Sequence, residues 1–163
     1  MRKVLIFGNS GSGKSTLARK LATGGGLAHL DLDSLAWLPE SPPRRMPLEQ
    51  SAGHIMQFIN TNKGFVIEGC YADLLEVAVP FANEIIFLNL PISQCVSNAR
   101  NRPWEPHKYA RKEDQDNNLE MLVKWIEQYH DRDDVFSYSA HTKLYESFAG
   151  KKVVYVNNEY NEN

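Results

Sequence analysis

The chain has 163 residues, with 18 Lys and Arg against 20 Asp and Glu, for a net charge of -2. This length implies one domain with a substantial core. The near balance of charge excludes a general attraction to nucleic acid or to a membrane surface.

The first element is Val4-Leu5-Ile6-Phe7, an apolar run that reads as a strand buried on both faces. It is too short for a signal peptide or a membrane span, so a cytoplasmic protein is expected. Gly8-Asn9-Ser10-Gly11-Ser12-Gly13-Lys14-Ser15 follows and fits G-x-x-x-x-G-K-[ST], the phosphate-binding P-loop. Thr16 to Ala22 then reads as a helix. Strand, glycine loop and helix N-terminus together form an anion cradle: backbone N–H groups close on phosphate oxygens and the helix dipole adds to them. Gly8 to Thr16 are therefore the nucleotide-binding candidates. Lys14 reaches for the β- and γ-phosphates, and the Ser15 hydroxyl takes a Mg²⁺ position.

Gly24-Gly25-Gly26 ends the first helix, and Leu27 to Asp33 reads as a second strand ending in Asp31 and Asp33. A helical turn is expected over Ser34 to Trp37. Pro39 to Pro47 holds four prolines and is expected to lack regular structure. Leu48 to Asn60 is a predicted helix with Leu48, Ala52, Ile55, Met56 and Ile59 as its apolar stripe. Phe65-Val66-Ile67 is a third strand, ending in Glu68-Gly69-Cys70-Tyr71. Ala72 to Val79 reads as a short helix and Glu84 to Leu90 as a fourth strand. Ser93 to Arg102 reads as a helix capped by Ser93. Pro103 to His107 interrupts it. Lys112 to His130 is the longest predicted helix, Ser137 to Ala149 another, and Val153 to Val156 the last strand before a polar tail. Cys70 and Cys95 lack C-x-x-C spacing and read as free thiols. The histidines have no zinc-ligand spacing.

Strand and helix alternate throughout, which argues a parallel sheet with helices on both faces. Ligands bind such sheets outside the strand C-terminal ends. That places Asp31, Asp33, Glu68, Asn89 and Asn157 beside the P-loop as candidates. Asp31 and Asp33 read either as phosphoryl-transfer carboxylates or as caps of the turn that follows. Glu68 reads either as an acid acting through Mg²⁺ water or as a cap of the Gly69 turn. Residues 100–112 hold five basic side chains and one acid, and read either as a phosphate-facing surface or as a solvated basic stretch. Arg44 and Arg45 read either as an anion-recognising pair or as an exposed loop.

With these elements placed, the chain resembles the small P-loop kinases: adenylate kinase, shikimate kinase and, closest, the adenylate-kinase-related proteins labelled topology-modulation proteins. The resemblance rests on the P-loop, the Asp31-Leu32-Asp33 and Val66-Ile67-Glu68-Gly69 strand ends, and the arginine-bearing helix. It implies five parallel strands in the order 2-3-1-4-5, in a single domain over 1–163 with a lid-like segment at 103–112. By similarity, Asp31 would serve the metal side and Asp33 the acceptor, Arg100 would lie near the adenine and Arg102 near the phosphates, and Arg44, Arg45 and Gly69 would lie at the acceptor. The chain lacks the lid arginine run of nucleoside monophosphate kinases and the glycine-rich acceptor motif of shikimate kinases.

The expected function is an ATP- and Mg²⁺-dependent phosphotransferase with a small soluble acceptor, with Lys14, Asp33 and Arg102 catalytic, Ser15, Asp31 and Glu68 on the metal side, and Arg100 and Asn157 toward the nucleotide. The alternative is a nucleotide-binding regulator or partner-dependent NTPase without such an acceptor. The expected partners are a nucleotide and a small acceptor, with no nucleic acid and no membrane, in a monomer or weak homodimer.

Overall fold

In the computed structural model, which describes residues 1–160, the sheet is built around β1 (Lys3–Gly8). This strand pairs in parallel with β5 (Phe65–Gly69) on one side and β6 (Glu84–Leu88) on the other. β2 (Ala28–Asp31) pairs with β5, and β7 (Lys151–Tyr155) with β6. The order is β2-β5-β1-β6-β7, which is 2-3-1-4-5 when only these five strands are counted, as the resemblance implied.

The central strands are mostly apolar because helices cover both faces, with Glu68 and Glu84 as buried exceptions. Val4, Leu5, Ile6 and Phe7 are all fully buried. Successive strand residues point to opposite faces, so the run divides between two cores. Leu5 and Phe7 pack with Leu32, Ile55, Ile67, Leu74 and Leu144, beneath α2 (Asp33–Ala36), α3 (Leu48–Thr61), α4 (Ala72–Ala78) and α7 (Tyr138–Ser147). Val4 and Ile6 pack with Leu17, Ala18, Ile86, Cys95 and Ile126, beneath α1 (Lys14–Gly25), α5 (Ile92–Arg100) and α6 (Lys112–Glu127). Each such aliphatic side chain contributes about 1.5–3 kcal/mol by leaving water. Both cysteines are free thiols. No helix among the described residues is long and apolar enough to cross a membrane.

Three expectations need correction. Within the proline-rich stretch, β4 (Arg44–Arg45) pairs antiparallel with β3 (Trp37–Leu38). The two arginines lie between Pro43 and Pro47 and keep their own N–H donors, so a two-residue ladder survives among the prolines. α3 buries Ser51 and Ile55, while Leu48 is 48% exposed. Ser51 is turned inward because its hydroxyl donates to the Leu35 carbonyl at 2.8 Å. Helix α5 starts at Ile92 behind Pro91, and no side chain caps it. By contrast, Ser137 does cap α7, accepting from the Ala140 N–H at 3.1 Å.

Candidate active site

The P-loop leaves the C-terminal end of β1 and turns directly into α1. Gly13 stands at the helix N-cap with φ 90°, a left-handed conformation that favours glycine. A Cβ there would lie 2.8 Å from the Asn158 amide nitrogen. That amide clasps the loop: Asn158 Nδ2 donates to the Ser12 carbonyl at 2.9 Å, and its Oδ1 accepts from Asn98 Nδ2 at 2.9 Å. Asn98 Nδ2 also donates to the Gly11 carbonyl at 2.8 Å. From the opposite side, Asn9 is buried and donates to the Ile126 carbonyl at 3.1 Å. The loop is thus tied back through its Gly11 and Ser12 carbonyls to α5 and the segment after β7, and through the Asn9 amide to α6. The Lys14 ammonium donates to the Asn9 carbonyl at 2.8 Å.

Beside the loop, strand ends bring three carboxylates together. Asp31 and Glu68 are register partners on β2 and β5. The Ser15 hydroxyl donates to Glu68 Oε1 at 2.8 Å, and His29 Nε2 lies 3.4 Å from the same oxygen. Asp31 Oδ1 accepts the Asp33 N–H at 2.9 Å, so Asp31 does cap the following turn. Burial, followed by the negative charges of Glu68 and Asp33, pushes the Asp31 carboxyl up to about 6.

Asp33 opens onto the same cleft with both oxygens engaged. Its Oδ1 accepts the Tyr71 hydroxyl at 2.5 Å and its Oδ2 the Lys108 ammonium at 3.0 Å. Trp37 Nε1 donates to the Tyr71 oxygen at 2.9 Å and fixes that ring. Partial removal from water opposes the Asp33 charge, but Lys108, the Tyr71 hydroxyl and Lys14 outweigh it and hold the carboxyl below its ordinary value. Desolvation likewise opposes the Lys108 charge, and Asp33, Asp31 and Glu105 more than offset it.

Tyr71 is placed by the strand end that carries it. The buried His141 bonds to the Cys70 carbonyl through Nε2 at 2.8 Å and to the Tyr129 hydroxyl through Nδ1 at 2.6 Å. Burial pushes His141 down to about 4. It is therefore neutral near pH 7, donating from Nε2 and accepting at Nδ1. Burial also pushes the Cys70 thiol up to about 12, so it carries no thiolate chemistry.

These groups line one cleft of about 720 Å³, floored by Ser10, Gly11, Gly13, Lys14, Ser15 and Thr16 and walled by Asp31, Asp33, Glu68, Gly69 and Arg102. Residues 103–109 form its roof. Gly69 lets the strand end pack on Leu32, whose Cβ would lie 2.9 Å from an added methyl. Gly8, Asn9 and Ser12 are not on the cleft wall and shape the loop from behind. Arg102 lies 3.3 Å from Glu105 within the roof.

Four expected site residues stand elsewhere. Arg100 is on the outer face of α5, paired with Glu120 at 2.9 Å. Arg44 is exposed beside Glu40 at 3.4 Å. Arg45 pairs with Asp73 at 3.1 Å and lies over the rings of Tyr71, Phe136 and Trp37. It thus supports Tyr71 from behind and does not line the cleft. Asn157 Oδ1 accepts the Glu159 N–H at 2.9 Å, and its neighbour Asn158 faces the loop. Sequence reasoning passed over Tyr71, Asn98 and Asn158 as site residues and took Lys108 only as one charge in a basic stretch.

The sequence profile of the AAA domain family matches residues 4–120. The chain belongs to that family. This AAA domain also matches the crystal structure of a gluconokinase from Sinorhizobium meliloti 1021, with a TM-score of 0.53 and 17% identity, over 98% of this chain and 84% of that one. That likeness concerns the fold. No curated protein matches the chain. The AAA domain match starts within β1 and ends inside α6, so it takes in the P-loop, the carboxylates and the roof of the cleft.

Proposed function

We propose that this AAA domain protein is an ATP- and Mg²⁺-dependent phosphotransferase, related to the adenylate kinase and shikimate kinase group, that phosphorylates a hydroxyl of a small acceptor. The observation that carries the reading is Asp33. Its carboxylate, kept ionised, faces the same cleft as Lys14 and Ser15. A P-loop supplies phosphate binding in many chemistries; an ionised carboxylate opposite it supplies an acceptor with orientation and a proton sink.

The residues present suit a magnesium ion. Ser15 Oγ lies at the phosphate loop, and a nearby cation would relieve the repulsion among Asp31, Glu68 and Asp33, which adds to burial in raising the Asp31 carboxyl. Among the described residues no three His, Cys, Asp or Glu side chains form a metal cage. This accords with an ion held largely by phosphate and water, as Mg²⁺ prefers. Ser15 would ligate it, and Glu68 and Asp31 would hold its waters. When bound it neutralises phosphate charge. Lys14 and Arg102 add positive charge on the protein side, the loop amides orient the phosphates, and Asp33 aligns the acceptor hydroxyl and takes its proton. The gluconokinase likeness makes sugar acids sensible members of an acceptor panel, beside polyols and nucleoside monophosphates.

The test is ADP release from Mg·ATP across that panel, for the wild type and for Asp33→Asn. Acceptor-dependent kcat is expected to fall about 10²-fold or more in the variant, without weaker ATP binding. Slow hydrolysis indifferent to every acceptor would instead support a nucleotide-binding regulator. Loss of ATP affinity together with turnover would move Asp33 to the metal side.

A further inference from the structure

Lys108 is absorbed by neither the phosphate loop nor the proposed base. Its ammonium lies 3.0 Å from Asp33, 3.7 Å from Glu105 and 4.0 Å from Asp31, and its side chain is 29% exposed. Among the described residues it makes the polar tie between the roof of the cleft and the strand ends beneath it. The roof does not depend on that tie for its own shape. Trp104 Nε1 donates to the Tyr109 carbonyl at 3.0 Å, and Gln115 bridges the Glu105 N–H at 2.8 Å and the Pro103 carbonyl at 3.1 Å. The tie can break while the roof stays built.

As long as the tie is made, each Asp33 oxygen already accepts a hydrogen bond, and the Lys108 ammonium neutralises the charge that would make the carboxylate a base. Tyr71 occupies one oxygen and Lys108 the other. Departure of the ammonium would raise the basicity of Asp33 and clear its cleft-facing side for an acceptor hydroxyl. Tyr71 is buried and held by Trp37; Lys108 is on a flexible stem. A lysine head is a compact charge with rotatable donors, suited to exchange between anions. The cleft it lines also holds the P-loop, where a terminal phosphate offers more negative charge than a carboxylate already shared with Tyr71.

We propose that Lys108 exchanges between the Asp33 carboxylate and the terminal phosphate of a bound nucleotide, so that Asp33 is released for the acceptor only when nucleotide is in place. The proposal rests on the phosphotransferase reading and makes binding ordered, nucleotide before acceptor. Lys108 is then a catalytic residue in the strict sense, touching the group that is transferred.

Calorimetric titrations with Mg·ADP and with Mg·AMP-PNP, which adds the terminal phosphate, test this without any acceptor. Lys108→Met is expected to weaken AMP-PNP by about tenfold or more, the scale of a lost charge-assisted hydrogen bond. ADP affinity should change far less, which also reports that the variant is folded. Because Asp33 competes for the same ammonium, Asp33→Asn is expected to tighten AMP-PNP more with Lys108 present than with Met at that position. Equal effects of Lys108→Met on both nucleotides, no effect, or tighter AMP-PNP would each overturn the exchange. So would strictly additive effects of the two substitutions. A wild type that binds neither nucleotide would instead overturn the phosphotransferase reading on which the proposal stands.

Discussion

Replacing His141 with Phe separates what that residue does for stability from what any similar ring would do. In the folded chain burial keeps His141 neutral down to about pH 4, against an ordinary value of 6.5. Between these values the unfolded chain binds the extra proton. The contribution of His141 is therefore complete above about pH 6.5 and declines as pH falls toward 4. Linkage over that window predicts a loss of about 2 kcal/mol between pH 7.5 and pH 5, at about 1.36 kcal/mol per unit. Phe fills the space but strands the Cys70 carbonyl and the Tyr129 hydroxyl, at about 1–3 kcal/mol each. Urea unfolding of both proteins at the two pH values gives the result as a double difference. The variant should be markedly less stable at about pH 7.5, and the gap should narrow by about 2 kcal/mol at about pH 5. Asp31 and other groups titrate in both proteins and cancel. A gap unchanged between the two pH values would refute the reasoning, because it would mean that His141 gains its proton as readily folded as unfolded.

Two further outcomes are expected. Lys14→Ala should abolish nucleotide turnover with circular dichroism and thermal unfolding unchanged; folded protein that turns over at the wild-type rate would remove the P-loop from the chemistry. Hydrogen exchange across residues 103–112 should slow on adding a non-hydrolysable ATP analogue with Mg²⁺, since all but Lys112 of this stretch lies between α5 and α6 and residues 103–109 roof the cleft. Protection confined to the P-loop would mean that the roof does not respond to nucleotide.

Most of the fold was legible because its central strands are short apolar runs and its P-loop is a spaced motif. The strand order needed the family resemblance, since no local pattern says which strand neighbours which. The β3–β4 pair escaped because two residues carry no periodicity and four nearby prolines argue against a ladder. In the site, Asp33 could be read as a carboxylate closing the second apolar run, although β2 stops at Asp31 and Asp33 opens α2. Its partners could not: Lys108 is 75 positions away and Tyr71 is 38. Arg100 and Arg102 looked alike in sequence, but α5 ends at Arg100 and fixes it on the outer face. The chain then turns and brings Arg102 to the cleft. Asn157 was chosen over Asn158 because the end of a strand does not announce which residue of the following turn points inward.

The clasp on the P-loop has a consequence for how the protein is made. Ser12 is held by a side chain 146 positions later, and Gly11 by one 87 positions later. A ribosome therefore completes the phosphate-binding sequence long before it supplies the residues that brace it. Until the strand preceding Asn158 has docked against β6 the loop lacks its outer support, and contacts of such separation form late. Nucleotide capture is then expected to strengthen once synthesis has passed this point. Cellular nucleotide would then favour chains that have reached Asn158 over shorter ones, because it stabilises only the chains that can bind it.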